Sequence, residues 1–167
     1  MSLSFEQIKP NELAVVLDYL RSAATTLQQK GVPQWTVWLN PQPTNIDWVE
    51  KGIREGEYYL ILKEKSRVGI VRLSETDETY WGQQTSEARY IHSLVIDERF
   101  SGLGLGKQVI ELMIQQAISD NIPFMRLDCI ATNTALCNYY ESQGFKKVGQ
   151  IQMPHSLNNL YEKSIIN

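Results

Sequence analysis

With 167 residues, a net charge of −3 and only 16 lysines and arginines, the chain lacks the clustered positive charge of a nucleic-acid-binding protein. Hydrophobic residues make up 43 % of the sequence, enough for the core of one domain over residues 1–167. The apolar runs are too short to cross a bilayer and the first residues lack a signal-peptide pattern, so we expect a cytoplasmic protein without a membrane partner. Cys129 and Cys137 match neither a disulfide framework nor a metal-ligand spacing, which predicts reduced thiols and no bound metal.

Hydrophobic periodicity and turn residues predict helices and strands in the first half of the chain. These elements are a strand at Ser4–Ile8, helices from an N-cap at Asn11 to about Lys30 and over Ile46–Glu55, and a hairpin of Tyr58–Lys63 and Val68–Leu73. A proline-rich loop over residues 31–45 separates the two helices and carries Trp35 and Trp38. Residues 74–87 are predicted to form a polar loop.

The second half of the chain is predicted to continue with alternating strands and helices. These are strands at Ala88–Ile96 and Phe124–Ile130, helices over about Gly106–Asp120 and Asn133–Gln143, and closing strands at Phe145–Ile151 and Tyr161–Ile166. Gly144 stands where a helix C-terminus commonly has glycine. The pattern predicts a mixed α/β domain built on one sheet.

A glycine-rich turn lies between the Ala88–Ile96 strand and the helix that follows it. Gly102, Gly104 and Gly106 occupy alternate positions, where they let backbone N–H groups approach a ligand without interference from Cβ atoms. The start of the next helix adds unpaired N–H groups and the positive end of its dipole. This combination predicts a binding site for phosphate or pyrophosphate.

Two nucleotide-binding motifs are similar to this turn, but the position of the turn and the residues around it do not match either motif. A dinucleotide fingerprint has its glycines after the first strand and an acidic residue about 20 positions later. Asp128 lies near that distance, but the turn here follows two predicted helices and several strands. A P-loop needs four residues between its glycines and a hydroxyl after its lysine, whereas three residues separate Gly102 from Gly106 and Gln108 replaces the hydroxyl.

Two segments resemble motifs of the GCN5-related N-acetyltransferase (GNAT) family. Leu94-Val95-Ile96 followed by residues 100–106 is similar to the family's acetyl-CoA pyrophosphate loop, and residues 133–145 resemble its Asn…Tyr-Glu-x-x-Gly-Phe segment. The order of the predicted elements resembles the family over nearly the whole chain. The resemblance implies the GNAT acyl-CoA acyltransferase fold, an α/β architecture with a twisted mixed sheet of about seven strands and about four flanking helices.

The same resemblance implies an enzyme that transfers acetyl from acetyl-CoA to a primary amine by direct attack. The acceptor would be a small molecule or a peptide, and a homodimer is an assembly that the family often forms. The alternative function is a non-catalytic acyl-CoA-binding or sensing module of the same fold, which would keep the loop without turnover. An acetyl-cysteine intermediate at Cys137 is disfavoured, because nothing in the sequence marks an activated thiol.

The resemblance also implies which residues bind the donor. They are Ser101, Gly102, Leu103, Gly104, Leu105, Gly106 and Lys107 at the pyrophosphate, Leu94, Val95 and Ile96 along the pantetheine arm, and Asn133 on the later helix. The strand would pair with the arm through its main chain, where the family's central strand bulges. Ser101 replaces the Gln or Arg with which the family's motif begins, so Lys107 or Arg99 is left to supply positive charge.

Tyr140 is the candidate general acid, because a phenol held near the sulfur can protonate the departing CoA thiolate. The ordinary pKa values of thiols and phenols are close enough for proton exchange. Asn133 and Tyr140 are seven residues apart, so a helix places both on one face. The alternative for Tyr140 is an aromatic core residue beside Tyr139.

His92 is the candidate general base. The run from Tyr90 to Ile96 is similar to the arylalkylamine branch of the family, in which histidines on this strand help to deprotonate the amine. A histidine held by a structural hydrogen bond is an equal alternative. Glu87, acting through ordered water, is the competing base.

Aromatic and acidic residues outside these motifs are candidates for acceptor binding. Trp35 and Trp38 lie where the family's acceptor loop usually falls and would contact an ammonium group by cation–π attraction, or else close the edge of the core. The acidic residues are Glu75, Asp77, Glu78 and Glu87. They are either a solvated surface or a mild attraction for a cationic acceptor.

Overall fold

The computed structural model describes residues 2–166 and contains seven strands and five α-helices. The strands are β1 (Leu3–Gln7), β2 (Tyr58–Lys63), β3 (Ser66–Ser74), β4 (Ala88–Ile96), β5 (Phe124–Ile130), β6 (Lys146–Gln152) and β7 (Leu157–Ser164). The α-helices are α1 (Leu13–Gln29), α2 (Pro43–Arg54), α3 (Glu78–Trp81), α4 (Leu105–Ser119) and α5 (Thr134–Ser142). Short 3-10 helices cover Pro10–Glu12, Thr36–Leu39 and Glu98–Phe100.

The seven strands form one mixed sheet in the order β1-β2-β3-β4-β5-β7-β6. β4 and β5 run parallel, with Ala88 opposite Phe124 and Tyr90 opposite Arg126. The β1–β2, β2–β3, β5–β7 and β6–β7 pairs are antiparallel. The predicted α/β fold with a seven-stranded mixed sheet is therefore confirmed.

The chain divides into two compact units, one made of residues up to 72 with 93–109 and the other of residues 73–92 with 110 onward. A single domain over residues 1–167 stays a prediction. In the first unit, the apolar face of α1 packs with α2 and with the β2–β3 hairpin. Val16, Leu20 and Ala24 repeat at every fourth position of α1 and are almost fully buried, which is the spacing of an amphipathic helix.

The core of the second unit is built around an arginine. The Arg126 side chain is buried, its Nε donates to Glu162 Oε2 at 2.9 Å and its Nη1 donates to the Tyr90 hydroxyl at 2.8 Å. The aromatic rings of Trp81 and Phe124 lie 4.9 and 5.3 Å from its guanidinium carbon. Because these groups compensate its charge, Arg126 acts as part of the core.

Several predicted boundaries were wrong, for identifiable reasons. Asn11 is not the N-cap of α1, because Pro10 starts a 3-10 turn and α1 begins only at Leu13. α2 begins at Pro43, three residues before the predicted Ile46, since proline suits the first turn of a helix. A fifth helix, α3, forms within the predicted polar loop, where the Asp77 side chain accepts a hydrogen bond from Tyr80 N at 3.1 Å.

The last strand also begins earlier than predicted, at Leu157 rather than Tyr161. The asparagines Asn158 and Asn159 hide its apolar pattern. Both are buried because they bond to side chains on other strands: Asn158 Nδ2 donates to Asp128 Oδ2 at 2.8 Å, and Asn159 Oδ1 accepts from Gln150 Nε2 at 2.9 Å. Among the residues described, no helix combines the length and the apolar character that a membrane span requires.

Candidate functional site

The predicted anion-binding turn lies between the 3-10 helix Glu98–Phe100 and α4. Gly102 and Gly104 have φ angles of +76° and +70°, in the left-handed region that favours glycine. A Cβ atom built on either one would meet nothing within 4 Å. These glycines are therefore required by the backbone conformation, and the chain leaves open space beside them.

The backbone N–H groups of this turn are available to an anion. The first hydrogen bond of α4 runs from Gln108 N to Gly104 O at 3.2 Å, so the N–H groups of residues 105–107 precede the helical ladder. Within residues 2–166, the N–H groups of residues 102–104 have no backbone acceptor either. Six consecutive N–H groups, residues 102–107, thus lie at the positive end of a helix dipole.

The charged side chains near the turn differ in their availability. Arg99 is largely exposed and forms a bidentate pair with Asp97, with Nη2 2.7 Å from Oδ2. This pairing lowers the pKa of Asp97 and compensates the Arg99 charge. Ser101 and Lys107 are both exposed, and Lys107 forms no ion pair within the described part of the chain. Lys107 is thus better placed than Arg99 to supply charge.

Strand β4 contains a left-handed residue just before the residues implied to hold the pantetheine arm. Ser93 has a φ of +50°, which is unusual for a residue other than glycine within a strand. After it, Val95 is buried in the core of the first unit, while Leu94 and Ile96 are half-buried. Gly69 of β3 lies so close that its Cβ would stand 2.0 Å from Val95 O. β4 continues as a strand through Ser93, and the bulge that the family resemblance implies stays a prediction.

Asn133 and Tyr140 lie at the start and near the end of α5. Asn133 is the N-cap, its Oδ1 accepting from Leu136 N at 3.1 Å. The Tyr140 ring packs against Phe145 and Tyr161, with centroids 6.1 and 6.4 Å away. Burial raises the pKa of Tyr140, with smaller contributions from Cys129 and Tyr139. The phenol therefore stays protonated, but the close match with thiol pKa values that the sequence suggested does not hold in this environment.

His92 lies between two carboxylates that the sequence did not link to it. Its Nε2 is 3.2 Å from Asp77 Oδ2 and its Nδ1 is 4.0 Å from Asp128 Oδ1. The three side chains are only 13 %, 6 % and 11 % exposed for His92, Asp77 and Asp128, respectively. They offer one ligand atom each within 4.8 Å of one another, so the cluster has the spacing to hold a cation.

The surroundings of this cluster carry negative potential. Burial raises the pKa of Asp128, and the hydrogen bond from Asn158 and the charge of His92 oppose that rise. Burial, Asp128 and Asp77 together raise the pKa of Tyr80 to about 12, and the Tyr80 ring centroid is 6.5 Å from that of His92. The sequence did offer one signal for Asp128, which is a lone acid within the apolar strand Phe124–Ile130.

The other candidates for the acceptor site are less enclosed or more structural. Trp38 is buried in the core of the first unit and stacks 6.2 Å from Trp48, and Trp35 packs partly buried against the same core. Their packing supports the alternative that they close the core. Glu87, the competing base, is exposed.

A model of the Acetyltransferase (GNAT) family matches residues 23–145 of this chain. The chain belongs to the GNAT family of acetyltransferases. It is 30 % identical over 147 residues to the uncharacterised N-acetyltransferase YesJ of Bacillus subtilis (strain 168), a match that covers 85 % of this chain and 79 % of YesJ. A GNAT acetyltransferase from Listeria monocytogenes 4b F2365 is 27 % identical, with a TM-score of 0.78 over 97 % of this chain and 94 % of that one.

A more distant structure shares the fold of this GNAT protein. The aminoglycoside acetyltransferase AAC(6')-Ib, solved in complex with coenzyme A and kanamycin, has a TM-score of 0.74 at 16 % identity, covering 98 % of this chain and 95 % of that one. The family and the fold together confirm the resemblance drawn from residues 94–106 and 133–145.

The two cysteines of this GNAT protein are buried, and Cys129 is a poor nucleophile. Cys129 Sγ and Cys137 Sγ are 3.3 Å apart in a buried environment, and neither forms a disulfide. Burial and the contact with Cys137 raise the pKa of Cys129 well above its ordinary value. A thiol that stays protonated does not take up an acetyl group, which agrees with direct attack by the acceptor.

Proposed function

We propose that this GNAT protein transfers the acetyl group of acetyl-CoA directly to the nitrogen of a primary amine. The observation that carries the proposal is the turn at Ser101–Lys107, where open glycines and N–H groups without a backbone acceptor suit a pyrophosphate. The structure of AAC(6')-Ib with coenzyme A supports the choice of donor, because that protein shares the fold. Small-molecule amines and peptide amines are both within this proposal.

The residues of the turn match the negative charge of a pyrophosphate, but they offer few side chains that would recognise it specifically. The turn offers six main-chain N–H groups without a backbone acceptor, Lys107 adds one positive charge, and Ser101 adds a hydroxyl. Leu94, Val95 and Ile96 offer main-chain groups for the pantetheine arm, and Asn133 stands at the N-terminus of α5. Because the turn holds its ligand mainly through the backbone, it selects for shape and negative charge.

The proposed proton transfers assign one role to each titratable residue. His92 accepts a proton from the acceptor's ammonium group, which leaves a neutral amine with a lone pair. A main-chain N–H of β4 stabilises the negative charge that develops on the thioester oxygen as the N–C bond forms. When the C–S bond breaks, Tyr140 donates its proton to the sulfur. The amine nitrogen loses its second proton as the amide forms, and this proton restores the Tyr140 phenol, while His92 releases the first proton to solvent. Coenzyme A supplies the leaving thiol.

The proposal is tested by steady-state kinetics with a panel of amines and a thiol reagent that detects released CoA. We expect CoA release only when an amine is present, with double-reciprocal plots that intersect, because direct attack requires both substrates bound together. A burst of free CoA without an acceptor would indicate an acetylated enzyme and contradict the proposal. Binding of CoA without turnover on any amine would favour the non-catalytic acyl-CoA-binding module.

The assembly is a separate part of the proposal. The family resemblance implies a homodimer, and the single domain implies that residues 1–167 unfold together. Sedimentation velocity tests the first statement, and coincidence of fluorescence and circular dichroism unfolding curves tests the second.

A further inference from the structure

The cluster of Asp77, His92 and Asp128 carries more negative than positive charge. Two carboxylates face one imidazole, so with both acids ionised the cluster has a net charge of −1 when His92 is protonated and −2 when His92 is neutral. Within residues 2–166, no lysine or arginine forms an ion pair with either acid. Uncompensated charge in a mostly buried site is costly, so the cluster has a deficit of one cation.

Asp77 shows where that cation would bind. Its Oδ1 accepts from Tyr80 N and caps α3, whereas its Oδ2 is buried and accepts no hydrogen bond, although His92 Nε2 is 3.2 Å away. The side chain is 94 % buried, given its exposure of 6 %. A buried carboxylate oxygen without a hydrogen bond has lost its hydration without gaining a donor in exchange. A ligand with N–H groups would supply that donor.

The geometry favours an ammonium group over a divalent metal ion. Asp77 Oδ2 is close to His92 Nε2 and Asp128 Oδ1 to Nδ1, and one ligand atom from each residue lies within 4.8 Å of the others. Asp128 Oδ2 is already bound to Asn158, which leaves one oxygen for a ligand. Three such atoms match the three hydrogens of an ammonium group, whereas a divalent metal ion needs at least one further ligand to complete its shell.

We propose that Asp77 and Asp128 bind the ammonium group of the acceptor beside His92, so that the preferred acceptors are small alkylamines that are cationic at neutral pH. The inference rests on the proposed acetyl transfer and names its substrate class. Asp77 contacts the ammonium group through Oδ2. Asp128 contacts it through Oδ1, because its Oδ2 accepts a hydrogen bond from Asn158. Tyr80 closes one side with its ring.

Asp77→Asn is the decisive variant, since asparagine keeps the N-cap of α3 and removes only the charge. With n-butylamine as the acceptor, we expect KM to rise about 10- to 100-fold with little change in kcat, and the affinity for CoA to stay unchanged. Asp47→Asn, the same substitution at an exposed position of α2, is the matched control and should leave KM as it was. A fall in kcat without a rise in KM would overturn the role in ammonium binding.

Direct binding separates this inference from the proposed function. Calorimetric titration of the CoA-bound protein with n-butylamine should give binding that n-butanol, its uncharged analogue, does not reproduce and that Asp77→Asn abolishes. If the amine binds in this way but no acetyl is transferred, the ammonium site stands and the proposed function fails. Thermal stabilisation by Mn²⁺ or Zn²⁺ that Asp77→Asn removes, without amine binding, would identify a metal site and overturn the inference.

Discussion

Tyr140 is surrounded by rings rather than by polar partners. Its neighbours are Tyr139, Phe145 and Tyr161, and burial raises its pKa. Such a phenol is a weak acid in the free protein, so its use as a proton donor depends on a strongly basic partner. A thiolate formed as the C–S bond breaks is such a partner.

Replacing Tyr140 with phenylalanine should lower kcat by about 10²-fold, because general acid catalysis contributes on the order of that factor. The affinity for CoA should stay the same, since the ring contacts are kept. Steady-state kinetics and calorimetric titration with CoA measure the two effects. Tyr139→Phe is the matched control, because Tyr139 is adjacent, stacks on Tyr140 and is 36 % exposed. Equal turnover in the two variants would remove Tyr140 from the mechanism.

Residue type and local motif made Tyr140 and His92 candidates from the sequence, whereas Asp77 was only one of four acids in a polar segment and Asp128 was not linked to His92. Asp77 belongs to a polar segment whose sequence is typical of solvated surface. Its side chain becomes buried only when α3 folds. Asp128 and Asn158 become partners across 30 residues of sequence. No local pattern carries that information, because it arises when β5 pairs with β7.

At the scale of elements, the turn before α4 depends on two glycines that lie where an anion would bind. Gly102 and Gly104 have left-handed φ angles and open space beside them. An alanine there would strain the backbone by roughly 1–2 kcal/mol and project a methyl group into the space where an anion would bind. The same strain exists at Gly31, whose φ is +72° and whose Cβ direction is also open.

Gly102→Ala and Gly104→Ala should therefore each weaken CoA binding about 5- to 30-fold, as measured by calorimetric titration, the equivalent of roughly 1–2 kcal/mol. Gly31→Ala is the matched control. It should lower the free energy of unfolding by a similar amount and leave CoA binding unchanged. If Gly31→Ala weakens CoA binding as much as the loop variants do, general destabilisation explains the effect and the turn loses its assigned role.

The elements with a strong two-residue or 3.6-residue period were predicted closely, and those set by side-chain capping or tertiary bonds were not. The bounds of β2, β4 and β5 agree with prediction at Tyr58–Lys63, Ala88–Ile96 and Phe124–Ile130. α3 and the start of β7 were missed, since an aspartate cap and two buried asparagines determine them.

At the scale of the whole molecule, buried phenols link stability to alkaline pH. Burial raises the pKa of Tyr58 and Tyr140 above the ordinary value of 10.0, and raises the pKa of Tyr80 to about 12. Above about pH 10 these groups ionise in the unfolded chain but remain protonated in the folded one. The unfolded chain then binds fewer protons, so the free energy of unfolding falls as pH rises.

We expect that fall to begin near pH 10 and to reach up to about 1.4 kcal/mol per pH unit for each phenol whose pKa is raised. Denaturant titrations at pH 8, 9, 10 and 10.5 measure it. Tyr140→Phe removes one of these phenols, so the free energy of unfolding of the variant should fall less steeply with pH. The slope should differ by up to about 1.4 kcal/mol per pH unit, the contribution of one proton, whatever the effect of the substitution on stability at pH 8. A free energy of unfolding that stays constant over this range would contradict the burial of these phenols.

The left-handed residue in β4 has a consequence for changes in chain length. Successive side chains of a strand point to opposite faces, and a shift of one residue exchanges those faces. Deleting Ser93, whose φ is +50°, would turn Val95 away from the core that now buries it. An insertion beside Ser93 would do the same. This segment of β4 should therefore accept substitutions far more readily than insertions or deletions, so that related sequences can be aligned through residues 88–96 without gaps.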